Sequence, residues 1–130
     1  MGSNGASSGI ARNGMRYGTE FSTVYQSDEI KFVRANRNMA TAPMETMTDG
    51  RVYVSVNRSD RIKSIVFFDE NHRRYKTIDV DHTHFVNGRA ERPHTHYGYF
   101  HDENGSAALS AEEAAIVDRV RRMWHNWKGR

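Results

Sequence analysis

The stretch "RVYVSVNRSDRIKSIVFFDENHRRYKTIDVD", residues 51–81, contains three short runs of apolar residues separated by polar turns. The first run (51–57) alternates valines with other residues, which is the period of a β-strand. The second run (61–69) has apolar residues on both faces, which indicates a central strand. The third run, RYKTIDVD (74–81), follows a turn at 70–73 and predicts the next strand. The segment therefore predicts a three-stranded antiparallel meander.

The flanking sequence completes the predicted fold. "EFSTVYQ" (20–26) and "EIKFVRA" (29–35) predict two more short strands. Residues 110–127 have apolar residues at helical spacing, and Ser110 with Glu113 forms the capping-box pattern of a helix start. We expect an α+β fold: an antiparallel sheet of four to five strands with one C-terminal helix packed on a face.

The composition of the 130 residues suits one domain, because 37% hydrophobic residues suffice for a single core. Residues 1–18 are rich in Gly, Ser and Asn and predict a flexible leader, with a single domain over 19–130. No apolar run is long enough to span a membrane, and no signal peptide is recognisable at the N-terminus. Export would therefore require an external delivery system. Cysteine is absent, and the net charge of +3 permits a phosphate-bearing partner.

The segment "IDVDHTHFVNGRAERPHTHYGYFH" (78–101) holds five of the seven histidines, four of them in two His-x-His pairs. His-x-His on an extended strand directs both rings to one side, which suits metal binding. One hypothesis is therefore a metal-dependent hydrolase or nuclease that uses a divalent transition metal. Its candidate ligands are His82, His84, His94, His96 and His101.

The same histidines suit acid–base chemistry that needs no cofactor. RNA carries its own nucleophile, the 2′-hydroxyl, so cleavage requires one group to remove a proton and another to protonate the leaving oxygen. Imidazole performs both transfers near neutral pH. We expect His94 and His96 to be the acid–base pair, with His82 or His84 as a third candidate. Asp79 would orient one ring, and the product would be a 2′,3′-cyclic phosphate.

Substrate contacts are expected from basic and aromatic residues around the same segment. Lys76 and Arg92 are the leading candidates for phosphate contact, within a wider basic set that includes Arg73, Arg74 and Arg89. Tyr97 and Tyr99 are candidates for stacking on bases. A third hypothesis is non-enzymatic: a binding or structural module of a phage or mobile element, with a histidine-rich docking loop.

The stretches "APMETMTDGRVYVSVNRSDRIKSIVFFDENHRRYKTIDVDHTH" and "PHTHYGYFH", followed by a helix ending in Trp, resemble polymorphic toxin type 24 domains. The resemblance covers roughly residues 30–127. Asp79, His82, His94 and His96 match the polar signature of that family. The resemblance implies a compact α+β toxin, often a ribonuclease, that is delivered into the cytoplasm of a target bacterium and neutralised by a cognate immunity protein.

Overall fold

The computed structural model describes residues 21–36, 43–80, 85–86, 89–90, 94–99 and 105–129. The leader predicted for residues 1–18 lies outside the described residues. Within the described residues there are nine strands and one helix: β1 (Phe21–Ser27), β2 (Ile30–Ala35), β3 (Val52–Val56), β4 (Ile62–Phe68), β5 (Arg74–Asp79), β6 (Phe85–Val86), β7 (Arg89–Ala90), β8 (His94–Tyr97), β9 (Ser106–Ala108) and α1 (Ala111–Lys128).

Seven of these strands form one sheet in the order β1-β2-β3-β4-β5-β8-β9, and β6 pairs only with β7. Strands β3, β4 and β5 are antiparallel neighbours, so the meander predicted over residues 51–81 is confirmed. Strand β2 pairs with β3 in the parallel direction, and every other neighbouring pair of the large sheet is antiparallel.

The expectation of an antiparallel sheet with four to five strands is wrong, because the sheet is mixed and has seven strands. Strands β8 and β9 have only four and three residues and lack an alternating apolar pattern. They join the sheet through hydrogen bonding beyond β5, which local periodicity does not reveal. The parallel direction of β2 and β3 is set by pairing between strands that end at Ala35 and begin at Val52, which the periodicity of either strand does not reveal.

Three non-glycine residues with left-handed backbone mark the tight turns between strands. Asp28 (φ 54°), Asp60 (φ 62°) and His72 (φ 63°) follow β1, β3 and β4 respectively. Asp and His are among the residues that tolerate this conformation best. Each turn reverses the chain in a few residues, and the turns after β3 and β4 fix the order of the meander.

The C-terminal helix begins with the predicted capping box. The Ser110 hydroxyl accepts a hydrogen bond from the Glu113 amide at 3.1 Å, and the Glu113 carboxylate accepts one from the Ser110 amide at 2.8 Å. Val117, Val120 and Trp124 on the helix are buried against the sheet. The predicted packing of one helix on one face is therefore confirmed.

Aromatic rings extend the core toward the C-terminal end of the helix. The ring of Trp124 stacks on Phe32 at a centroid distance of 5.2 Å and on Trp127 at 5.1 Å. Trp127 in turn stacks on Tyr25 at 5.5 Å. Both tryptophans are therefore packing residues, and the helix covers one face of the sheet, here called the helix face. The candidate site lies on the other face.

Candidate functional site

Strand β5 divides its side chains between the two faces of the sheet. Ile78 is fully buried in the core that packs against the helix. Because successive strand residues point to opposite faces, Thr77 and Asp79 lie on the face that the helix does not contact. We call this face the polar face, and its members include Ser55, Ser64, Thr77, Asp79 and His96.

The pairing of β8 with β5 brings a histidine next to Asp79. The antiparallel register sets His96 opposite Thr77 and His94 opposite Asp79, so His96 and Asp79 are diagonal neighbours on the polar face. The Nε2 atom of His96 lies 2.7 Å from Oδ2 of Asp79. The His96 side chain is 5% exposed and that of Asp79 is 17% exposed. Burial strengthens the electrostatic attraction between such groups.

A row of polar residues continues from this pair across the sheet. Ser64 on β4 is the register partner of Asp79, and Ser55 on β3 is the partner of Ser64. Their hydroxyl oxygens are 2.6 Å apart, and both serines are buried. Beside Asp79 the polar face thus carries small hydrogen-bonding groups, and Val66, the register partner of Thr77, is buried on the same face.

Arg74 contributes a buried positive charge near the pair. Its guanidinium donates from Nε and Nη2 to the backbone carbonyl of Tyr99, at 2.9 and 2.6 Å. Burial lowers the pKa of Arg74 because it disfavours the charged form, while nearby Tyr99 and the carboxylates of Asp79 and Glu45 act in the opposite direction. The guanidinium therefore interacts electrostatically with both carboxylates.

Glu45 is a buried acidic residue that sequence analysis did not select. The segment around it is hydrogen bonded to the β4–β5 turn and the start of β5: the Arg74 amide donates to the Met44 carbonyl at 2.8 Å, and the Thr46 amide donates to the His72 carbonyl at 3.1 Å. A carboxylate is rarely buried without a charged or hydrogen-bonding partner. The available signal was a lone acidic residue in the motif "PMET".

Lys76, predicted to contact phosphate, lies on the helix face and not beside His96. Its Nζ is 3.3 Å from Oε2 of the buried Glu113. Burial alone would raise the pKa of Glu113, but hydrogen bonds from the Ser110 backbone and the Thr95 and Lys76 side chains outweigh it, so the pKa is lowered. Tyr97, the register partner of Lys76, is on the same face.

Tyr99, predicted to stack on a base, is already covered by another side chain. It is 6% exposed, and the guanidinium carbon of Arg73 lies 4.0 Å from its ring centroid. The ring therefore packs within the protein, and the carbonyl of the same residue holds Arg74.

The remaining predicted site residues are described only in part or not at all. His94 is described as a position on β8, next to Asp79 in register. Outside the described residues lie His82, His84, Arg92 and His101. Within the described part of the chain, no group of three or more His, Cys, Asp or Glu residues is arranged to hold a metal ion. Metal binding by the two His-x-His pairs stays a prediction.

Comparison with protein-family models, with curated proteins and with solved structures finds no match to this chain. No helix in the described part of the chain is both long and apolar enough to cross a membrane. The chemistry of the site must therefore be argued from its own residues.

Proposed function

We propose that this chain is a bacterial toxin domain that acts as a metal-independent ribonuclease, with His96 and Asp79 at its catalytic centre. The single observation that carries the proposal is the buried 2.7 Å contact between His96 Nε2 and Asp79 Oδ2. A carboxylate held against one nitrogen of an imidazole restrains the ring, and it stabilises the imidazolium when the ring accepts a proton.

The proposed reaction is transesterification within RNA. A base removes the proton from the 2′-hydroxyl, the 2′-oxygen attacks the adjacent phosphorus, and the bond to the 5′-oxygen breaks as an acid protonates that oxygen. The products are a 2′,3′-cyclic phosphate and a free 5′-hydroxyl. Because Nε2 of His96 contacts Asp79, proton exchange with the substrate would use Nδ1.

His94 is proposed as the second acid–base residue. It lies two positions before His96 on β8, opposite Asp79 in the register of β5 and β8. Arg74 is proposed to supply positive charge near the extra negative charge that develops on the phosphorus oxygens. Because two of its nitrogens donate to the Tyr99 carbonyl, the guanidinium is held in place and would act on the substrate through its charge.

The biological part of the proposal is supported by the resemblance of residues 30–127 to polymorphic toxin type 24 domains. The toxin would be delivered into the cytoplasm of a target bacterium by an external system, and a cognate immunity protein would neutralise it. The mildly basic chain, with a net charge of +3, suits both RNA and an acidic inhibitor.

The test is cleavage of total RNA and of a defined oligoribonucleotide by purified protein, in excess chelator and with added divalent metal. His96→Gln is compared with His72→Gln, because His72 is another described histidine that contacts an aspartate, at an exposed turn. We expect cleavage in chelator, a cyclic phosphate end, and loss of activity only in His96→Gln. Circular dichroism and thermal unfolding of both variants check that the fold is retained.

Each other outcome contradicts the proposal. RNA that stays intact under both conditions would leave a non-enzymatic binding or structural module as the remaining hypothesis. Cleavage that requires metal would favour a metal-dependent nuclease using the two His-x-His pairs. Full activity in a folded His96→Gln protein would show that the contact with Asp79 is structural only.

A further inference from the structure

A basic cleft lies away from the polar face, at the C-terminal end of the helix. It has a volume of about 520 Å³, within the usual range for ligand sites. Residues from the connection between β3 and β4, from the end of β5 and from α1 line it, among them Arg61, Val80, Arg121, Trp124, His125 and Lys128.

The charge in this cleft is predominantly positive. Among the described residues that line it, Asp60 is acidic; it forms an ion pair with Arg34, and its backbone carbonyl accepts from Trp124 Nε1 at 2.8 Å and from Lys128 Nζ at 3.3 Å. The side chains of Arg61 and Arg121 have no hydrogen-bond or ion-pair partner among the described residues. Two guanidinium groups therefore line the cleft, and no described carboxylate pairs with either.

The negative end of the helix accounts for the positions of some of these basic residues but not of all of them. Basic residues in the last turn of a helix, such as His125 and Lys128, stabilise its negative end. Arg61 is in the connection between β3 and β4, so it owes its position to a different element. Arg61 and Arg121 come from separate parts of the chain and line the same cleft, which is the arrangement expected of an anion-binding surface.

The cleft reaches the strand that carries the candidate catalytic carboxylate. Val80 lines the cleft, and the preceding residue is Asp79, which contacts His96 on the opposite face. The cleft and the candidate catalytic pair therefore adjoin consecutive residues of the chain, Val80 and Asp79.

We propose that this cleft binds the phosphate backbone of single-stranded RNA and so holds the substrate on one side of the Asp79–His96 pair. The inference rests on the proposed function, since it names the ligand of the same enzyme. Trp124 forms an apolar part of the cleft wall and is itself stacked on Phe32 and Trp127. Recognition is therefore of phosphate charge and not of base identity.

The test measures binding of a fluorescent 2′-O-methyl oligoribonucleotide, which lacks the 2′-hydroxyl nucleophile and so cannot be cleaved. The cleft variant is Arg61→Gln with Arg121→Gln. The matched control is Arg58→Gln with Arg122→Gln, because these two exposed arginines belong to the same connection and the same helix but do not line the cleft. Both doubles remove two positive charges.

We expect the cleft variant to weaken binding on the order of tenfold at ~0.1 M salt. Each phosphate contact on a single strand contributes about 0.7 to the slope of log affinity against log salt, so the loss of two contacts should reduce the magnitude of that slope by about 1.4. The control should bind within about twofold of the parent, as expected where no phosphate contact is lost. Equal losses in both doubles would mean that only net charge matters, and no loss in either would mean that RNA does not use the cleft. Either result overturns the inference.

Two further measurements distinguish RNA from an acidic protein as the partner, and binding in the cleft from the proposed catalysis. If polyglutamate binds through Arg61 and Arg121 more tightly than RNA of equal charge, the cleft serves an acidic protein and the inference is wrong. His96→Gln should abolish cleavage and retain binding of the oligonucleotide. Cleft-dependent RNA binding by a parent protein that cleaves no RNA would support the cleft and contradict the proposed function.

Discussion

Nε2 of His96 lies 2.7 Å from Oδ2 of Asp79 on the neighbouring antiparallel strand, and both side chains are largely buried on the polar face. Among the described residues another histidine also contacts an aspartate: His72 Nε2 is 2.5 Å from Oδ1 of Asp49. There the aspartate side chain is 91% exposed, so water competes with the contact. Burial is therefore what distinguishes the candidate catalytic pair from an ordinary surface contact.

Asp79→Asn should lower the rate of RNA cleavage by roughly 10²–10⁴-fold, because an amide cannot stabilise the imidazolium and can favour the wrong tautomer. The measurement is kcat on a short oligoribonucleotide with one cleavage site. Asp49→Asn, which alters the exposed contact, should retain the parental rate. Similar rates in the two variants would exclude an orienting role for Asp79.

Glu113→Gln should destabilise the fold by roughly 2–3 kcal/mol at pH 7, because it removes the charge that pairs with Lys76 and weakens the hydrogen bonds at the start of the helix. Urea unfolding measures the change. Glu112→Gln is the matched control, since Glu112 is exposed in the same helical turn. The control should change stability by less than about 0.5 kcal/mol.

The pH dependence of stability follows from the lowered pKa of Glu113. Its folded pKa is below the ordinary value of 4.5, so its contribution is complete above the unfolded pKa and is lost as the pH falls through the folded pKa. The free energy of unfolding should therefore fall more steeply below about pH 4.5 in the parent than in Glu113→Gln. Parallel pH profiles for the two proteins would contradict this assignment.

Arg74→Gln should destabilise the protein by roughly 1.5–3 kcal/mol, because two charge-assisted hydrogen bonds to the Tyr99 carbonyl are lost in a buried setting. It should also slow RNA cleavage, since the positive charge near Asp79 is removed. The neighbouring Arg73→Gln, which affects an exposed residue over the Tyr99 ring, should do neither to a comparable extent. Chemical unfolding and the cleavage rate are measured on the same preparations.

Ile65→Ala should cost roughly 2–5 kcal/mol of unfolding free energy, because Ile65 is fully buried on the central strand β4 and truncation leaves a cavity. Met47→Ala, at a side chain that is 62% exposed, should change stability by less than about 0.5 kcal/mol. If Ile65→Ala lowers the free energy of unfolding by less than about 1 kcal/mol, Ile65 is not a core residue.

Patterns within short stretches of sequence predicted the meander strands and the C-terminal helix. Short apolar runs separated by polar turns over residues 51–81 predicted three strands, and the capping box at Ser110 predicted the start of the helix. The same patterns missed β8 and β9, because "HTHY" and "SAA" have no apolar period and become strands only by pairing with β5 and with each other.

The sequence by itself determined which chemical groups are available: the five clustered histidines, the two aspartates ahead of them and the basic residues around them. Only the tertiary structure decided which of these groups meet. The β5–β8 register joins His96 to Asp79, and strand alternation sends Lys76 to the helix face and to Glu113. Register is set by pairing between distant segments, and a shift of one residue would exchange the two faces, so local sequence cannot fix it.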